Sequence, residues 1–180
     1  PILKLPCSAS IDCFIDSTFY LQTMSLSNNL VIIVSVGKGF GRSIASAFAK
    51  ALLSKVHFIL IGESEEDLQV TAETVASLRP TTVTSELMLS DLADHTALLA
   101  LAERLFSSRS FTDYTHVTFI NNAQTIQPIG NIDSGIDPSL LSRAIQLNVT
   151  SPMYLTSECM RAMRDTTRAP ARAAVVNISS

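Results

Sequence analysis

The sequence predicts a doubly wound α/β fold, in which a parallel β-sheet carries helices on both faces. Short apolar runs, rich in β-branched residues, alternate along the chain with longer segments of helical periodicity. Such alternation produces β–α–β crossovers and therefore parallel strand pairs. A glycine-rich segment follows the first run directly, at the place where a parallel sheet binds its ligand.

Five segments are predicted to form strands. Residues 30–34 are continuously apolar, and residues 56–61 are apolar except for His57. Such runs are typical of parallel strands buried on both faces. Residues 82–89 are more polar, so we expect this third strand near a sheet edge. The fourth and fifth strands are predicted at residues 117–120 and 173–178.

Helices are predicted between these strands, because apolar residues recur there at helical spacing. They span residues 40–52, 65–78, 93–106 and 137–163. The longest helix begins with Asp137 as its N-cap and Pro138 at its first position. Pro152 has no N–H, so the carbonyl of Asn148 loses its helical partner. That carbonyl is then free to hold a water in a proton relay, or the proline simply kinks the helix for packing.

Composition excludes several classes of function. The 180 residues suit one domain, and 47% of them are hydrophobic, which is enough for a buried core. With 13 basic against 16 acidic residues and no cationic block, we expect no nucleic-acid binding. No apolar run is long enough to span a bilayer. Three cysteines and three histidines lack metal-ligand spacing, so we expect no metal site and a cytoplasmic protein with reduced thiols.

The first 23 residues are predicted to be an extension of the domain. The chain starts at Pro1, its first methionine is Met24, and acidic residues interrupt the apolar segment that a secretory signal requires. We therefore expect residues 1–23 to be poorly ordered and residues 24–180 to form the folded domain. The alternative is an N-terminal arm that packs on the domain.

The turn after the first strand carries Gly37, Gly39 and Gly41. Without Cβ atoms the backbone can turn tightly and approach a pyrophosphate, while the next helix offers free N–H groups and a positive dipole end. The spacing differs from the general G-x-G-x-x-G, so an ordinary tight turn is the alternative.

Polar residues follow the later strands, where they would line the same cleft. Glu63 follows Gly41 by 22 residues, near the spacing of about 20 at which an acid contacts the adenosine ribose. The other positions are Asp91 and Leu92 after the third strand, Asn122 and Ala123 after the fourth, Asn148 in the long helix and Ser180 after the fifth.

This set of motifs resembles the short-chain dehydrogenase/reductase family, whose pattern combines T-G-x-x-x-G-x-G, D-[LV], N-N-A-G, a helical Asn, a Ser after the fifth strand and Y-x-x-x-K. Residues 39–45 (GFGRSIA) and 175–180 (VVNISS) are most similar to the sepiapterin reductase branch. The resemblance implies a Rossmann-like dinucleotide-binding domain over residues 24–180 that is incomplete after its fifth strand. It also implies that the complete form is an NADP(H)-dependent reductase of a small, pterin-like ketone.

The resemblance assigns roles to individual residues. The cofactor pyrophosphate would lie against Ser35, Val36, Gly37, Lys38, Gly39, Phe40 and Gly41. Glu63 and Ser64 would lie beside the adenosine ribose, Asp91 and Leu92 beside the adenine, and Asn122 and Ala123 along the cofactor cleft. Asn148 and Ser180 would belong to the catalytic tetrad. The implied partners of the complete form are a small-molecule carbonyl substrate and a second copy in a homodimer.

Several positions depart from the family pattern. Ser35 stands at the position of its first Gly, unless Gly37 replaces that glycine through a shortened loop. Gln124 replaces the last Gly of N-N-A-G and would direct a side chain toward the cofactor. Glu63 would repel a 2′-phosphate and favour NAD, whereas Lys38 can pair with that phosphate. We expect NADP(H), with NAD as the alternative.

The largest departure is the absence of Tyr-x-x-x-Lys. None of Tyr20, Tyr114 and Tyr154 has a lysine four residues later. We therefore expect this chain to bind a dinucleotide weakly at best and to be inactive by itself. The alternative function is a non-catalytic dinucleotide-binding or interaction protein, which Ser35 and Gln124 favour.

Overall fold

The computed structural model describes residues 28–52, 54–129, 133 and 135–178. Its strands are β1 (Asn29–Val34), β2 (Val56–Gly62), β3 (Val83–Leu89), β4 (His116–Asn121) and β5 (Arg172–Asn177). All of them are parallel and form one sheet in the order β3-β2-β1-β4-β5. The predicted fold class is confirmed. The predicted extension, residues 1–23, and Ser180 lie outside the described residues.

Helices connect the strands. They are α1 (Phe40–Ala51), α2 (Glu65–Leu78), α3 (His95–Ala102), α4 (Pro138–Ile145) and α5 (Ser151–Arg164). Asp137 caps α4 as predicted, because its side chain accepts a hydrogen bond from the Ser139 N–H at 2.8 Å. None of the helices described is long and apolar enough to cross a membrane.

The long helix predicted over residues 137–163 is not α-helical throughout. A π-helical turn, Gln146–Thr150, joins α4 to α5 directly before Pro152. Because the proline cannot donate to the carbonyl of Asn148, the α-helical ladder cannot pass through this position unchanged. A second π-helical turn, Glu103–Ser107, continues α3, where a single α-helix over residues 93–106 was the expectation.

The three central strands, β2, β1 and β4, are buried on both faces, as the apolar runs of β1 and β2 predicted, whereas the edge strands β3 and β5 are only partly buried. In β1, Leu30, Ile32 and Val34 belong to the core cluster on the side of α3 and α5. Val31 and Ile33 point the other way, into the cluster on the side of α1 and α2. All five side chains are fully buried, so β1 is the central strand of the two-sided core.

The strand order creates one crevice at the carboxyl edge of the sheet, between the ends of β1 and β4. β3 lies at one edge, as its polar sequence predicted, and β5 lies at the other. The connections from β1 to β3 proceed in one direction along the sheet, and the later strands are added on the opposite side of β1. The order therefore reverses between β1 and β4, which is the position where open α/β sheets bind ligands.

Candidate functional site

The glycine turn, residues 35–41, connects β1 to α1 at the carboxyl edge of the sheet. The Val36 N–H donates to the carbonyl of Ile61, at the end of β2, over 2.7 Å. Gly39 precedes α1 with φ 81° and ψ −124°, a conformation open mainly to glycine. Within the described residues, no side chain accepts a hydrogen bond at the start of α1. The positive end of this twelve-residue helix is therefore available to an anion.

Gly41 is the tightest point of the turn. A Cβ atom at this position would lie 2.5 Å from the carbonyl oxygen of Ser35 and 3.2 Å from Nδ2 of Asn122. That amide nitrogen donates to the same Ser35 oxygen over 3.1 Å. Asn122 from the end of β4 and Gly41 from α1 thus hold the end of β1 from two sides.

Ser35, rather than Gly37, adopts the left-handed conformation at the start of the turn. Its φ is 63°, and no other non-glycine residue in the described ranges has a positive φ. Gly37 has an ordinary negative or extended φ. A serine therefore occupies a backbone position that favours glycine.

Replacing Ser35 with glycine is expected to raise the free energy of unfolding by about 1 kcal/mol, because an L side chain is strained at this φ. Part of the gain is offset by the larger conformational entropy of an unfolded glycine. Urea unfolding of both proteins measures the difference. Ser35→Val is the opposing control and is expected to destabilise, since a β-branched residue tolerates positive φ poorly. An unchanged urea midpoint in Ser35→Gly would show that the turn carries no such strain.

A cleft of about 460 Å³ opens beside the glycine turn, and we call it the carboxyl-edge cleft. Six predicted site residues line it: Ser35, Gly37, Glu63, Ser64, Leu92 and Ala123. The further lining residues are Gly62, Asp67, Ser90, Gln124, Thr125, Gln127, Leu140, Arg143, Ala144 and Leu147. Of the remaining predictions, Val36, Gly41 and Asn122 are buried behind it, while Lys38, Gly39 and Phe40 are exposed on the turn.

The two predicted acidic residues meet at an arginine. Nη1 of Arg143, from α4, donates to Oδ2 of Asp91 over 2.8 Å, and its Nη2 lies 3.6 Å from Oε1 of Glu63. The other Asp91 oxygen accepts from the Ala93 N–H at 2.9 Å. The hydrogen bond from Arg143 holds the pKa of Asp91 below its usual value. Both oxygens of Asp91 therefore have partners within the protein.

Asn148 anchors the segment that follows β4. Its Oδ1 accepts from the backbone N–H of Thr125, and its Nδ2 donates to the carbonyl of the same residue, both over 2.7 Å. Asn148 also lines a second cavity of about 700 Å³, the β4–α5 cavity. The other residues around it are Asn121, Ala123, Gln124, Thr125, Val149, Pro152, Met153, Thr156, Ser157, Met160, Asn177 and Ile178. Gln124 therefore stands between the two cavities and is exposed to both.

Asn121 links the end of β4 to α5 and β5. This buried amide donates from Nδ2 to Oδ1 of Asn177 at 2.8 Å and to Oγ1 of Thr156 at 2.9 Å. A third acceptor, the carbonyl of Pro152, lies at 3.2 Å. Hydrogen bonds therefore join four of the residues that line the β4–α5 cavity.

Arg143 and Ser90 are positions for which the sequence predicted no role in the site. Arg143 precedes Asn148 by five residues in a helix with a mixed surface, and its charge alone does not distinguish it from other surface arginines. Ser90 directly precedes Asp91, which was the only available signal for it. Their importance depends on contacts with distant strands.

Comparison with protein families gives a match over most of the chain. The model of the family described as short chain dehydrogenase matches residues 29–180. No curated protein matches the chain.

Solved structures share the fold over about half of their own length. A bulky-bulky ketone specific alcohol dehydrogenase from Comamonas testosteroni has 23% identity and a TM-score of 0.64, with 87% of this chain and 55% of that one covered. A short-chain type dehydrogenase/reductase from Mycobacterium ulcerans has 18% identity and a TM-score of 0.67, covering 87% and 52%. A short-chain dehydrogenase from Sphingobium yanoikuyae in complex with NADPH has 23% identity and a TM-score of 0.66, covering 85% and 54%.

The family match and the architecture agree with the order of motifs along the sequence. The match begins at the first residue of β1 and includes all five strands. The matched residues include the glycine turn, the point where the strand order reverses and the carboxyl-edge cleft. The chain belongs to the short-chain dehydrogenase family.

Proposed function

We propose that this chain supplies the nucleotide-binding part of an NAD(P)-dependent reductase that transfers hydride to a small carbonyl compound. The observation that carries the proposal is the close packing of Gly41 against Ser35 and Asn122 at the reversal point of the sheet. Closely packed glycine backbone beside an uncapped helix N-terminus suits the phosphates of a dinucleotide. The Sphingobium yanoikuyae structure in complex with NADPH supports the same class of cofactor.

The residues present fit such a cofactor. A Cβ at Gly41 would lie 2.5 Å from the Ser35 carbonyl oxygen, so the turn can pack this closely only with glycine there. The buried Oγ of Ser90, in the cleft that it lines, has no hydrogen-bond partner among the described residues. In the proposal, residues 35–41 hold the pyrophosphate, with Asn122 and Ala123 along the cleft. Glu63 and Ser64 face the adenosine ribose, and Asp91 and Leu92 lie near the adenine. When bound, the cofactor supplies the hydride, and the protein binds and orients it.

Two further residues are assigned to the carbonyl end. Asn148 is proposed as a positioning residue, because its amide is used by both backbone groups of Thr125. Ser180 is proposed to polarise a substrate carbonyl through its hydroxyl. The likeness of residues 39–45 and 175–180 to the sepiapterin reductase branch supports NADP(H) and a pterin-like ketone in the complete, cytoplasmic enzyme. Exposed apolar side chains at Leu141, Ile145, Val149 and Met153 along α4 and α5 support a homodimer.

A non-catalytic dinucleotide-binding or interaction protein is the second candidate. Gln124 favours it, because this exposed side chain stands between the two cavities where the family pattern has glycine. The coding sequence after Ser180 separates the candidates. A Tyr-x-x-x-Lys motif shortly after that residue supports the reductase, and its absence supports the second function.

Titration of the 180-residue chain with NADPH and with NADH, followed by nicotinamide fluorescence, tests cofactor binding. We expect a saturable response to both and tighter binding of NADPH. Gly41→Ala is the matched control, because its Cβ would displace the backbone that contacts phosphate. If the wild-type chain responds to neither dinucleotide, the result counts against the reductase and against a dinucleotide-binding role.

A further inference from the structure

Arg143 crosses the carboxyl-edge cleft from the helix side to the strand side. Its guanidinium contacts the carboxylates that follow β2 and β3, Glu63 and Asp91. The side chains are 45% exposed for Arg143 and 53% for Glu63, so their ion pair at 3.6 Å is weak and solvated. Arg143 can therefore leave Glu63 at little cost when a stronger anion enters the cleft.

Both carboxylates that line this cleft have an arginine partner. Glu63 faces Arg143, and Oδ1 of Asp67 lies 3.4 Å from Nη2 of Arg42. Ser90 lines the same cleft and is only 8% exposed, and its Oγ has no hydrogen-bond partner within the part of the chain that the structure describes. Arg143 and the Ser90 hydroxyl are therefore the hydrogen-bond donors that this wall of the cleft offers to an anionic group of a ligand.

An unpaired Glu63 would oppose a phosphate on the adenosine ribose. A carboxylate at the end of the second strand accepts hydrogen bonds from the ribose hydroxyls of NAD and repels the 2′-phosphate of NADP. In this chain Arg143 offsets part of the charge of Glu63 at 3.6 Å, while its shorter contact, 2.8 Å, is to Asp91. That arginine belongs to α4 rather than to the strand ends. The carboxylate alone therefore does not determine which ribose the cleft accepts.

We propose that Arg143 is the specificity-determining residue that admits a 2′-phosphorylated adenosine to the carboxyl-edge cleft. It reduces the repulsion of Glu63 and pairs with the 2′-phosphate through its planar guanidinium, while Asp91 holds its other edge. The hydroxyl of Ser90 donates a hydrogen bond to the same nucleoside end of the ligand. This inference rests on the proposed function, because it requires the cleft to hold the adenosine half of a dinucleotide.

Calorimetric titration with 2′,5′-ADP and with 5′-AMP tests the role of Arg143 without any enzymatic reaction. Arg143→Gln is expected to weaken 2′,5′-ADP binding about tenfold at low ionic strength. The loss is expected to shrink to about twofold in high salt, because the site is open to solvent. Binding of 5′-AMP, which lacks the 2′-phosphate, is expected to change less than about twofold.

Two further variants examine how Glu63 and Arg143 together affect the binding of 2′,5′-ADP. Glu63→Gln alone is expected to tighten 2′,5′-ADP, and Glu63→Gln combined with Arg143→Gln is expected to bind it better than Arg143→Gln alone. Arg104→Gln removes the same charge from an exposed position in the turn Glu103–Ser107, outside the lining of the cleft, and controls for net charge. Circular dichroism of each variant verifies folding.

Three results would overturn the inference in different ways. An equal loss for both nucleotides in Arg143→Gln would mean that Arg143 only shapes the cleft. A tighter 2′,5′-ADP complex in that variant would mean that Arg143 obstructs the ligand. If the wild-type chain bound none of 5′-AMP, 2′,5′-ADP and NADPH, the proposed function would be wrong, and this inference would be wrong with it.

Discussion

Replacing Gly41 with alanine is expected to lower the free energy of unfolding by about 3 kcal/mol and to abolish dinucleotide binding. The new Cβ would lie 2.5 Å from the carbonyl oxygen of Ser35 and 3.1 Å from Cα of Val36. Both are backbone atoms, so relief requires the end of β1 to move away from α1. That movement also separates Asn122 from the Ser35 carbonyl to which it donates. Urea unfolding and the NADPH titration measure the two effects.

Gly37→Ala is the matched control within the same turn. Its Cβ would meet only Oδ2 of Asp67, at an ordinary contact distance of 3.9 Å, and its φ is not positive. We expect its stability to stay within about 0.5 kcal/mol of the wild type. Equal unfolding midpoints for Gly37→Ala and Gly41→Ala would contradict the close approach at Gly41.

Replacing Asn121 with alanine is expected to destabilise the chain by about 2 kcal/mol. The substitution removes the donor shared by Asn177 and Thr156, and it leaves their partly buried oxygens without that partner. These bonds join β4 to β5 and α5. Their removal is therefore expected to loosen β5 in addition to lowering the stability of the whole domain. Hydrogen exchange of the β5 amides is expected to accelerate more than that of the β1 amides.

Asn28→Ala is the control for the second prediction. Asn28 is exposed and donates one side-chain hydrogen bond, to the carbonyl of Asp113 at 2.8 Å. Its removal is expected to cost less than about 0.5 kcal/mol. If Asn121→Ala were no less stable than Asn28→Ala, the buried amide would not hold the sheet to α5.

Local pattern was enough to predict the strands and helices. The strand bounds predicted from sequence differ from the observed ones by no more than one residue at either end, and α2 has the predicted bounds. The periodicity of buried residues acts within a few turns or strand residues, so it is readable without knowledge of the rest of the chain. Neither π-helical turn was predicted, because hydrophobic spacing does not distinguish four-residue from five-residue hydrogen bonding.

Local pattern likewise predicted one part of the candidate site and missed another. The sequence predicted the glycine turn, the acid after β2 and the polar residues after β3 and β4, because each follows a recognisable strand. It did not show that Ser35 rather than Gly37 takes the left-handed conformation, which only the backbone dihedral angles show.

The sequence by itself determined the order of strands and helices along the chain, since apolar periodicity and caps are local properties. Tertiary structure alone decided which distant segments meet. It joined Arg143 to Glu63 and Asp91, brought Gly41 against Ser35 and Asn122, and tied Asn121 to Asn177. The physical reason is that such contacts depend on strand order and register, which bring together residues dozens of positions apart that no local pattern relates.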